Sequence, residues 1–375
     1  MKAGRRVRRG GCQWRLDPPS VIAGVVFLVW MYEKLNSARR VYERFMNYAL
    51  AIGILVMIIG GILVYGVRMP GNSFKGAPPA LTNSEVNLSN RLRNHVYVLA
   101  MEIGERNWPC YEALDRARSY IEGQFKKMDL ETKSMPYPFQ GETFYNVEAI
   151  LKGSEPSRPC IVIGAHYDSV EGSPGANDNA TGVAALLELA RLLRLERLSR
   201  TIRFVAFANE EPPYFNTGEG MGSIEYVRSF QGPEAAIHCM LSLETIGFYA
   251  DDQNSQEYPP FVGLFYPNKG NFIAFVGNFG SRRLVRNVVR SFRLGATIPS
   301  EGAALPSLIP GVSFSDHRSF WEAGIPALMV TDTAFYRDSK YHLSTDTAER
   351  LNYEQMARVV VGLSRAVADL CGEKP

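Results

Sequence analysis

Histidine and carboxylate side chains recur in this sequence after short apolar runs and in polar turns. They are His166, Asp168, Asp178, Glu210, Glu211, Glu244 and His342. Taken singly, each has an ordinary explanation: a histidine at a strand end forms a structural hydrogen bond, and an aspartate such as Asp178 caps a helix. Taken together, five carboxylates in one cleft would repel each other and raise their own pKa values unless cations balanced them.

Two divalent cations would nearly balance those five carboxylates. Imidazole and carboxylate ligands suit zinc, and a carboxylate that bridges two metal ions about 3.5–4 Å apart is a recurrent hydrolytic arrangement. No Cys-x-x-Cys spacing indicates a cysteine metal site. The residue types therefore predict a hydrolytic metal site, provided that the fold brings these side chains together.

Alternating apolar patterns predict the elements that position these residues. Strand-like runs occur at 143–151, 161–166, 201–208, 237–243, 272–276 and 327–330, and helical runs at 85–103, 111–128, 180–195, 223–230, 282–292 and 349–370. This alternation predicts an α/β domain with a mostly parallel, mixed central sheet flanked by helices. In such folds ligands bind outside the carboxyl ends of the strands, where the acidic residues collect.

An uncharged run of twenty residues, 48–67, is long enough to cross a bilayer as one helix. Residues 1–45 carry a net charge of +7. The positive-inside rule then keeps the N-terminus cytoplasmic and places the remainder in the periplasm or outside the cell. A cleaved signal peptide is the alternative, and Met31 and Met46 are further plausible starts. The shorter apolar run 21–32 is too short to span comfortably.

The predicted organisation has four parts. They are a basic cytoplasmic segment (1–45), a transmembrane anchor (46–68), a linker rich in Pro and Gly (69–83) and a globular domain (84–375). The net charge of the whole chain is +3, which leaves −4 for residues 46–375, so nucleic acid is not an expected partner. The expected partner is the lipid bilayer, through the N-terminal helix. Cys160 and Cys239 are predicted to be buried thiols, and the oligomeric state stays open.

Five motifs occur in a characteristic order. They read GAHYDS from Gly164, GANDNATG from Gly175, NEE from Asn209, SLETIG from Ser242 and YHLSTD from Tyr341. In this order they resemble the co-catalytic zinc exopeptidases of the bacterial leucyl aminopeptidase, aminopeptidase S and glutamate carboxypeptidase family. The resemblance covers about 92–370 and implies the zinc exopeptidase fold for the globular domain.

The resemblance also implies a ligand set for two Zn²⁺ ions per chain, although Co²⁺ or Mn²⁺ in the cell is not excluded. His166 and Glu244 would bind the first ion, Glu211 and His342 the second, and Asp178 would bridge both. Family members usually have Asp where Glu244 stands. This departure makes the occupancy of the first position an open question.

The remaining implied roles concern proton transfer and orientation. Glu210 would be the general base that takes a proton from the attacking water and returns it to the leaving amine, and Asp168 would orient His166. The peptide between Asp178 and Asn179 is implied to be cis. Asp316 and His317, in a further segment that is similar to the family, either contact the substrate region or fix their own loop by a hydrogen bond.

The resulting expectation is a membrane-anchored metallo-exopeptidase that acts on peptides, an aminopeptidase rather than a carboxypeptidase. That preference follows from the resemblance, since no Arg is recognisable as a clamp for a substrate carboxylate. One alternative is an acyltransferase with a single zinc, similar to glutaminyl cyclases. Another is an inactive scaffold on the same fold, as in the transferrin receptor ectodomain, although every expected ligand position here carries a competent residue.

Overall fold

The computed structural model describes residues 18–215, 217–230 and 236–372 of the chain. It divides into two compact units, of which the first ends at Ile62 and the second begins at Leu63. The residues 1–17 of the predicted cytoplasmic segment lie outside the described part. The predicted domain boundaries stay predictions.

Helix α1 runs without interruption over Pro18–Val67 and contains both apolar runs of the N-terminal region. Its large apolar side chains up to Ile58 are mostly exposed, as with Leu28, Ile52 and Met57. Among the described residues it is the one helix long and apolar enough to cross a membrane, and a signal sequence near the N-terminus has the same properties. Length and composition therefore favour a membrane segment without distinguishing an anchor from a signal.

The second unit is built around one eight-stranded mixed sheet. Its strands, in chain order, are β1 (Glu131–Phe139), β2 (Glu142–Leu151), β3 (Cys160–His166), β4 (Ile202–Phe207), β5 (Ile237–Glu244), β6 (Ile273–Gly277), β7 (Ser300–Ala304) and β8 (Ala327–Thr331). They lie side by side in the order β1-β2-β4-β3-β5-β8-β6-β7. The central strands β4, β3, β5 and β8 are mutually parallel, whereas β2 pairs with β4, and β6 with β8, in antiparallel fashion. This mixed sheet with a parallel centre confirms the predicted fold class.

Helices cover both faces of the sheet. After α1 they are α2 (Asn83–Tyr97), α3 (Tyr111–Lys126), α4 (Thr181–Leu193), α5 (Gly222–Ser229), α6 (Arg282–Arg293), α7 (His317–Glu322) and α8 (Tyr353–Leu370). Apolar residues of α2, α3, α4, α6 and α8 join the main core with strand residues such as Ile163 and Leu241. Tyr226 of α5 and Phe320 of α7 belong to a smaller core that includes Val162 and Met240. Because Val162 alternates with Ile163 along β3, the two cores lie on opposite faces of the sheet.

Strands β1 and β7 and the short helix α7 were not among the predicted elements. Both strands are at the sheet edges. β1 contains Pro136 and Pro138, which an edge strand tolerates because it needs fewer backbone donors. β7 reads SEGAA and carries no large apolar side chain, so no apolar periodicity marked it.

The segment between α1 and α2, residues 68–82, has no regular helix or strand. It is nevertheless hydrogen-bonded to other parts of the second unit. Arg293 donates hydrogen bonds to the carbonyl oxygens of Pro70 and Gly71, and Ser73 accepts one from the backbone N–H of Ser300. The Pro- and Gly-rich composition thus describes its backbone but not these attachments.

Elsewhere in the second unit, Cys160 and Cys239 are buried thiols that form no disulfide, as predicted.

Candidate metal centre

The carboxyl ends of the central parallel strands carry the predicted acidic and histidine residues. His166 is the last residue of β3 and Glu244 is the last residue of β5, and these two strands are neighbours. Glu210 and Glu211 lie in the loop that follows β4. Parallel strands end at one edge of the sheet, so residues far apart in sequence meet there.

Asp178 and His342 reach the same edge from two loops. Asp178 lies in a single wide turn, Ala176–Ala180, directly before α4, and the peptide that joins it to Asn179 is cis, as the resemblance implied. His342 follows β8 in a loop and has a left-handed backbone, with φ of 62°. Such a conformation is uncommon for a residue with a side chain and often occurs at functional sites.

The first group of side chains comprises His166, Asp178 and Glu244. His166 Nε2 lies 3.2 Å from Asp178 Oδ1 and 3.2 Å from Glu244 Oε2. All three side chains are buried. Because these atoms converge on a common point, the group could hold one metal ion.

The second group comprises Asp178, Glu211 and His342. His342 Nε2 lies 3.1 Å from Asp178 Oδ2 and 3.2 Å from Glu211 Oε2. Asp178 therefore contributes one oxygen to each group, which is the geometry of a bridging carboxylate. The structure brings together every residue predicted to bind metal, and their roles as ligands stay predictions.

Several buried polar atoms at the centre lack hydrogen-bond partners among the described residues, which indicates whether a metal ion would fit there. His166 Nε2, both carboxylate oxygens of Asp178 and His342 Nε2 are buried and form no hydrogen bond within the described chain. Buried polar atoms are normally satisfied, and an unsatisfied one needs an explanation such as an ion. Nitrogen and carboxylate donors that point at two common positions fit zinc.

The pKa shifts at the centre also favour a metal ion there. Burial raises the pKa of Glu211 to about 8, with a further contribution from the charge of Asp178. Burial opposes protonation of His342, but its contacts with Asp178 and Glu211 outweigh that effect and raise its pKa to about 10. In the metal-free protein, protons on imidazoles thus offset the carboxylates, and metal binding would have to release them.

Asp168 organises the loop that carries the adjacent glutamates. Its carboxylate oxygens accept hydrogen bonds from the backbone N–H groups of Glu210 (3.1 Å) and Glu211 (3.0 Å). The oxygen that accepts from Glu210, Oδ1, also lies 3.4 Å from His166 Nδ1. Asp168 therefore links the end of β3 to the loop after β4, which fits its predicted orienting role.

Glu210 is buried in the cluster but lies farther from its histidine than the carboxylates of the first group. Its Oε2 is 3.9 Å from His166 Nε2. Burial raises the pKa of Glu210 well above its usual range. A carboxyl group beside the metal positions with a raised pKa suits a group that accepts a proton and passes it on.

Glu244 is held by a hydrogen bond from Ser315, whose Oγ lies 2.8 Å from Glu244 Oε2. Ser315 in turn contacts the Ser242 hydroxyl at 3.0 Å. The longer side chain of glutamate, where the family usually has aspartate, is thus fixed by a serine from another loop. This contact explains how Glu244 can be positioned beside His166.

Replacing Ser315 with alanine is expected to lower metal affinity at the first position by about 10- to 100-fold, as for other groups that orient metal ligands. The measurement is zinc affinity by competition with a chelating dye. Ser313→Ala is the matched control, because the Ser313 hydroxyl bonds only to the carbonyl oxygen of Ser307 among the described residues. Equal zinc affinity in the Ser315 and Ser313 variants would contradict this role for Ser315.

Two supporting residues were not assigned a role from the sequence. Asp346, in the YHLSTD motif, accepts hydrogen bonds from the backbone N–H groups of Asn177 and Asp178 and so holds the turn that carries the Asp178 carboxylate. Arg106 is fully buried and donates to the carbonyl oxygens of Tyr167 and Gly175. Asp346 was visible as part of a motif, whereas no local pattern marked Arg106.

The loop before α7 contains Asp316 and His317, for which two alternatives were open. His317 lies 2.9 Å from the carbonyl oxygen of Val312 through its Nε2, so it fixes its own loop. Asp316 is fully buried, and burial raises its pKa to about 7. Only the loop-fixing role is thus seen for His317.

Comparison with known proteins agrees with this geometry. The model of peptidase family M28 matches residues 146–367. The uncharacterized protein YfbL of Escherichia coli is 39% identical over 282 residues, which are 73% of this chain and 85% of YfbL. A probable leucine aminopeptidase of Arthroderma otae is 25% identical over 241 residues, 60% of this chain and 57% of that protein. The chain thus spans little more than half of the fungal relative.

Solved structures share the fold at low sequence identity. BSAP, a zinc aminopeptidase from Bacillus subtilis, superimposes with a TM-score of 0.59 at 16% identity, covering 75% of this chain and 95% of BSAP. A glutaminyl cyclase from Fimbriiglobus ruber gives a TM-score of 0.57 at 19% identity, and the match covers 78% of this chain and 99% of the cyclase. Since the family model matches more than half of the sequence and the paired histidine and carboxylate groups lie within the matched residues, this chain belongs to peptidase family M28.

Proposed function

We propose that this protein is a zinc-dependent aminopeptidase that binds two zinc ions and hydrolyses the first peptide bond of its substrates. The observation that carries the proposal is the pair of ligand groups that share Asp178, each with buried donor atoms that lack other partners. The comparisons support the class of reaction, because the family is one of peptidases and curated relatives are described as aminopeptidases.

The residues of the site have separate roles in metal binding and proton transfer. His166, Asp178 and Glu244 would hold one ion, and Asp178, Glu211 and His342 the other. Zinc at these positions would supply Lewis acidity and make an attacking water more acidic. Glu210 takes the proton from that water and returns it to the leaving amine, while Asp168 keeps the loop of Glu210 and the ring of His166 in place.

The cavity beside the centre favours a free amino group over a free carboxylate in the substrate. Its described lining includes Glu244 of the first group and contains no Lys or Arg. A substrate carboxylate would need a cationic partner there, whereas an α-ammonium group would not. This is a structural reason, independent of the resemblance, to prefer an aminopeptidase to a carboxypeptidase.

The test combines metal content with a substrate panel. The full chain, purified in detergent, is expected to bind two zinc ions and to cleave aminoacyl amides with a free amino group but not their N-acetylated counterparts. One zinc ion with cyclisation of amino-terminal glutamine would instead favour the cyclase alternative. Absence of metal and of hydrolysis would favour the inactive scaffold.

We further propose that α1 anchors the enzyme with its catalytic domain in the periplasm or outside the cell. The support is the apolar helix and the excess of Lys and Arg in residues 1–45. Carbonate extraction of membranes followed by N-terminal sequencing tests this. A chain that stays in the membrane fraction with its apolar run intact supports the anchor, and a soluble chain that begins after the run would show a cleaved signal.

A further inference from the structure

A large cavity begins at Glu244 and extends away from the metal centre. Its volume is about 790 Å³, part of it open to solvent. Aromatic and aliphatic side chains form most of its wall, among them Tyr258, Tyr266, Phe272 and Phe335. Two further acidic residues line it: Glu301, and Glu257 at an exposed position. The cavity is therefore mostly apolar, with two carboxylates beyond that of Glu244.

The register of the sheet locates Glu301 relative to the centre. Glu244 of β5 pairs with Thr331 of β8, Thr331 pairs with Ala274 of β6, and Ala274 pairs with Glu301 of β7. Residues paired in this way point to the same face of a sheet. Three strand spacings of about 4.8 Å separate the two glutamates by roughly 14 Å. The short side chains of Thr331 and Ala274 thus form a floor between a metal ligand and a second carboxylate.

Glu301 forms an ion pair with Arg293 but accepts no hydrogen bond from it. Arg293 Nη2 lies 3.7 Å from Glu301 Oε2, which is too long for a hydrogen bond. The same guanidinium donates to the carbonyl oxygens of Ser300, Pro70 and Gly71. No hydrogen bond reaches the Glu301 carboxylate from the residues that the structure describes. The exposed Lys75 adds a distant favourable charge.

We propose that this cavity receives the side chain of the first residue of the substrate and that Glu301 selects a long side chain ending in a cation, that of Arg or Lys. The inference rests on the proposed function and goes beyond it by naming the substrate class. The apolar wall suits the methylene groups of such a side chain, whose charged end remains free for a polar partner. The stacked rings of Tyr258 and Tyr266 also line the cavity, and aromatic rings attract cations.

The length of the Arg and Lys side chains supports this substrate preference. With its α-amino group at the metal centre, an extended Arg or Lys side chain advances about 6–7 Å along the floor. A charge-assisted hydrogen bond adds about 2.8 Å, and a glutamate side chain at position 301 is long enough to cover most of the rest. A leucine side chain ends several ångströms short of Glu301. Branched apolar residues would fit the wall but leave the carboxylate without a partner.

The experiment uses matched pairs of substrates with the full chain in detergent. Arginine and citrulline anilides have nearly the same shape, but only arginine carries a charged side chain. Lysine and norleucine anilides differ by the side-chain ammonium group. The wild-type enzyme is expected to prefer the charged member of each pair by about 10- to 100-fold in kcat/KM, the range for a hydrogen bond to a charged group. Glu301→Gln is expected to abolish most of that preference while changing the rates on citrulline and norleucine by less than about threefold.

Glu257→Gln is the control, because Glu257 is an exposed carboxylate at the rim of the same cavity. The Glu257→Gln variant should prefer the charged substrates by the same factor as the wild-type enzyme. Hydrolysis of all four anilides without a charge preference would overturn this inference and leave the proposed function standing. A preference lost in Glu257→Gln but kept in Glu301→Gln would also overturn it. If none of the four is cleaved, the proposed function fails and the inference fails with it.

Discussion

Replacing Asp178 with asparagine is expected to remove most of the bound zinc and to lower kcat/KM by about 10³-fold or more. The carboxylate contributes one oxygen to each ligand group, at 3.2 Å from His166 Nε2 and 3.1 Å from His342 Nε2. An amide has a single acceptor oxygen, so it cannot serve both. A bound metal ion contributes several kcal/mol to charge stabilisation in hydrolysis, and each 1.36 kcal/mol is a factor of ten in rate.

The measurements for this variant are zinc per chain and hydrolysis of an aminoacyl anilide. Asp252→Asn is the matched control, since Asp252 is exposed and outside both ligand groups. The backbone N–H of residue 178 keeps its bond to Asp346, so the turn is expected to persist and the variant to fold. Two zinc ions per chain in Asp178→Asn would show that this carboxylate does not bridge them.

Replacing Glu210 with glutamine is expected to lower kcat by about 10²–10⁴-fold, the range for loss of a general base. Glutamine has the same shape but cannot accept the proton of the attacking water. Zinc content and KM should change little, because Glu210 Oε2 lies 3.9 Å from His166 Nε2, whereas Glu244 Oε2, which is predicted to bind metal, lies at 3.2 Å. The variant thus separates proton transfer from metal binding.

Steady-state kinetics with a zinc determination test this prediction. Glu219→Gln, at an exposed position in the same connection between β4 and α5, is the control and should behave as the wild type. A glutamine variant that loses zinc would identify Glu210 as a ligand. One that retains full activity would show that another group accepts the proton.

Part of the candidate metal centre was predictable because His166, Glu211 and Glu244 come at or just after the ends of apolar runs that share one sheet edge. Parallel pairing of β3 with β4 and β5 then brings His166, Glu211 and Glu244 together whatever their separation in sequence. Helix boundaries were less predictable. The predicted helix 85–103 ends as α2 at Tyr97 and continues as the wider turn Val98–Ile103, because the pattern of apolar residues does not distinguish the two windings.

The supporting residues were hidden because their partners come from distant parts of the chain. Arg106 lies in a loop far from the motifs, and its partners are backbone carbonyl oxygens, which carry no residue type. Ser315 is one of many serines until the loop before α7 places it 2.8 Å from Glu244. Glu301 likewise becomes distinctive only when three strand pairings align it with Glu244.

The sequence by itself therefore determined the family, the fold class and the set of residues available to bind metal, because residue type and order along the chain carry that information. The tertiary structure decided which oxygens face which nitrogens, which side chains hold them, and where the cavity places a second carboxylate. Those features depend on strand order and register, and pairing between distant strands is set by the packing of the whole domain rather than by any local pattern.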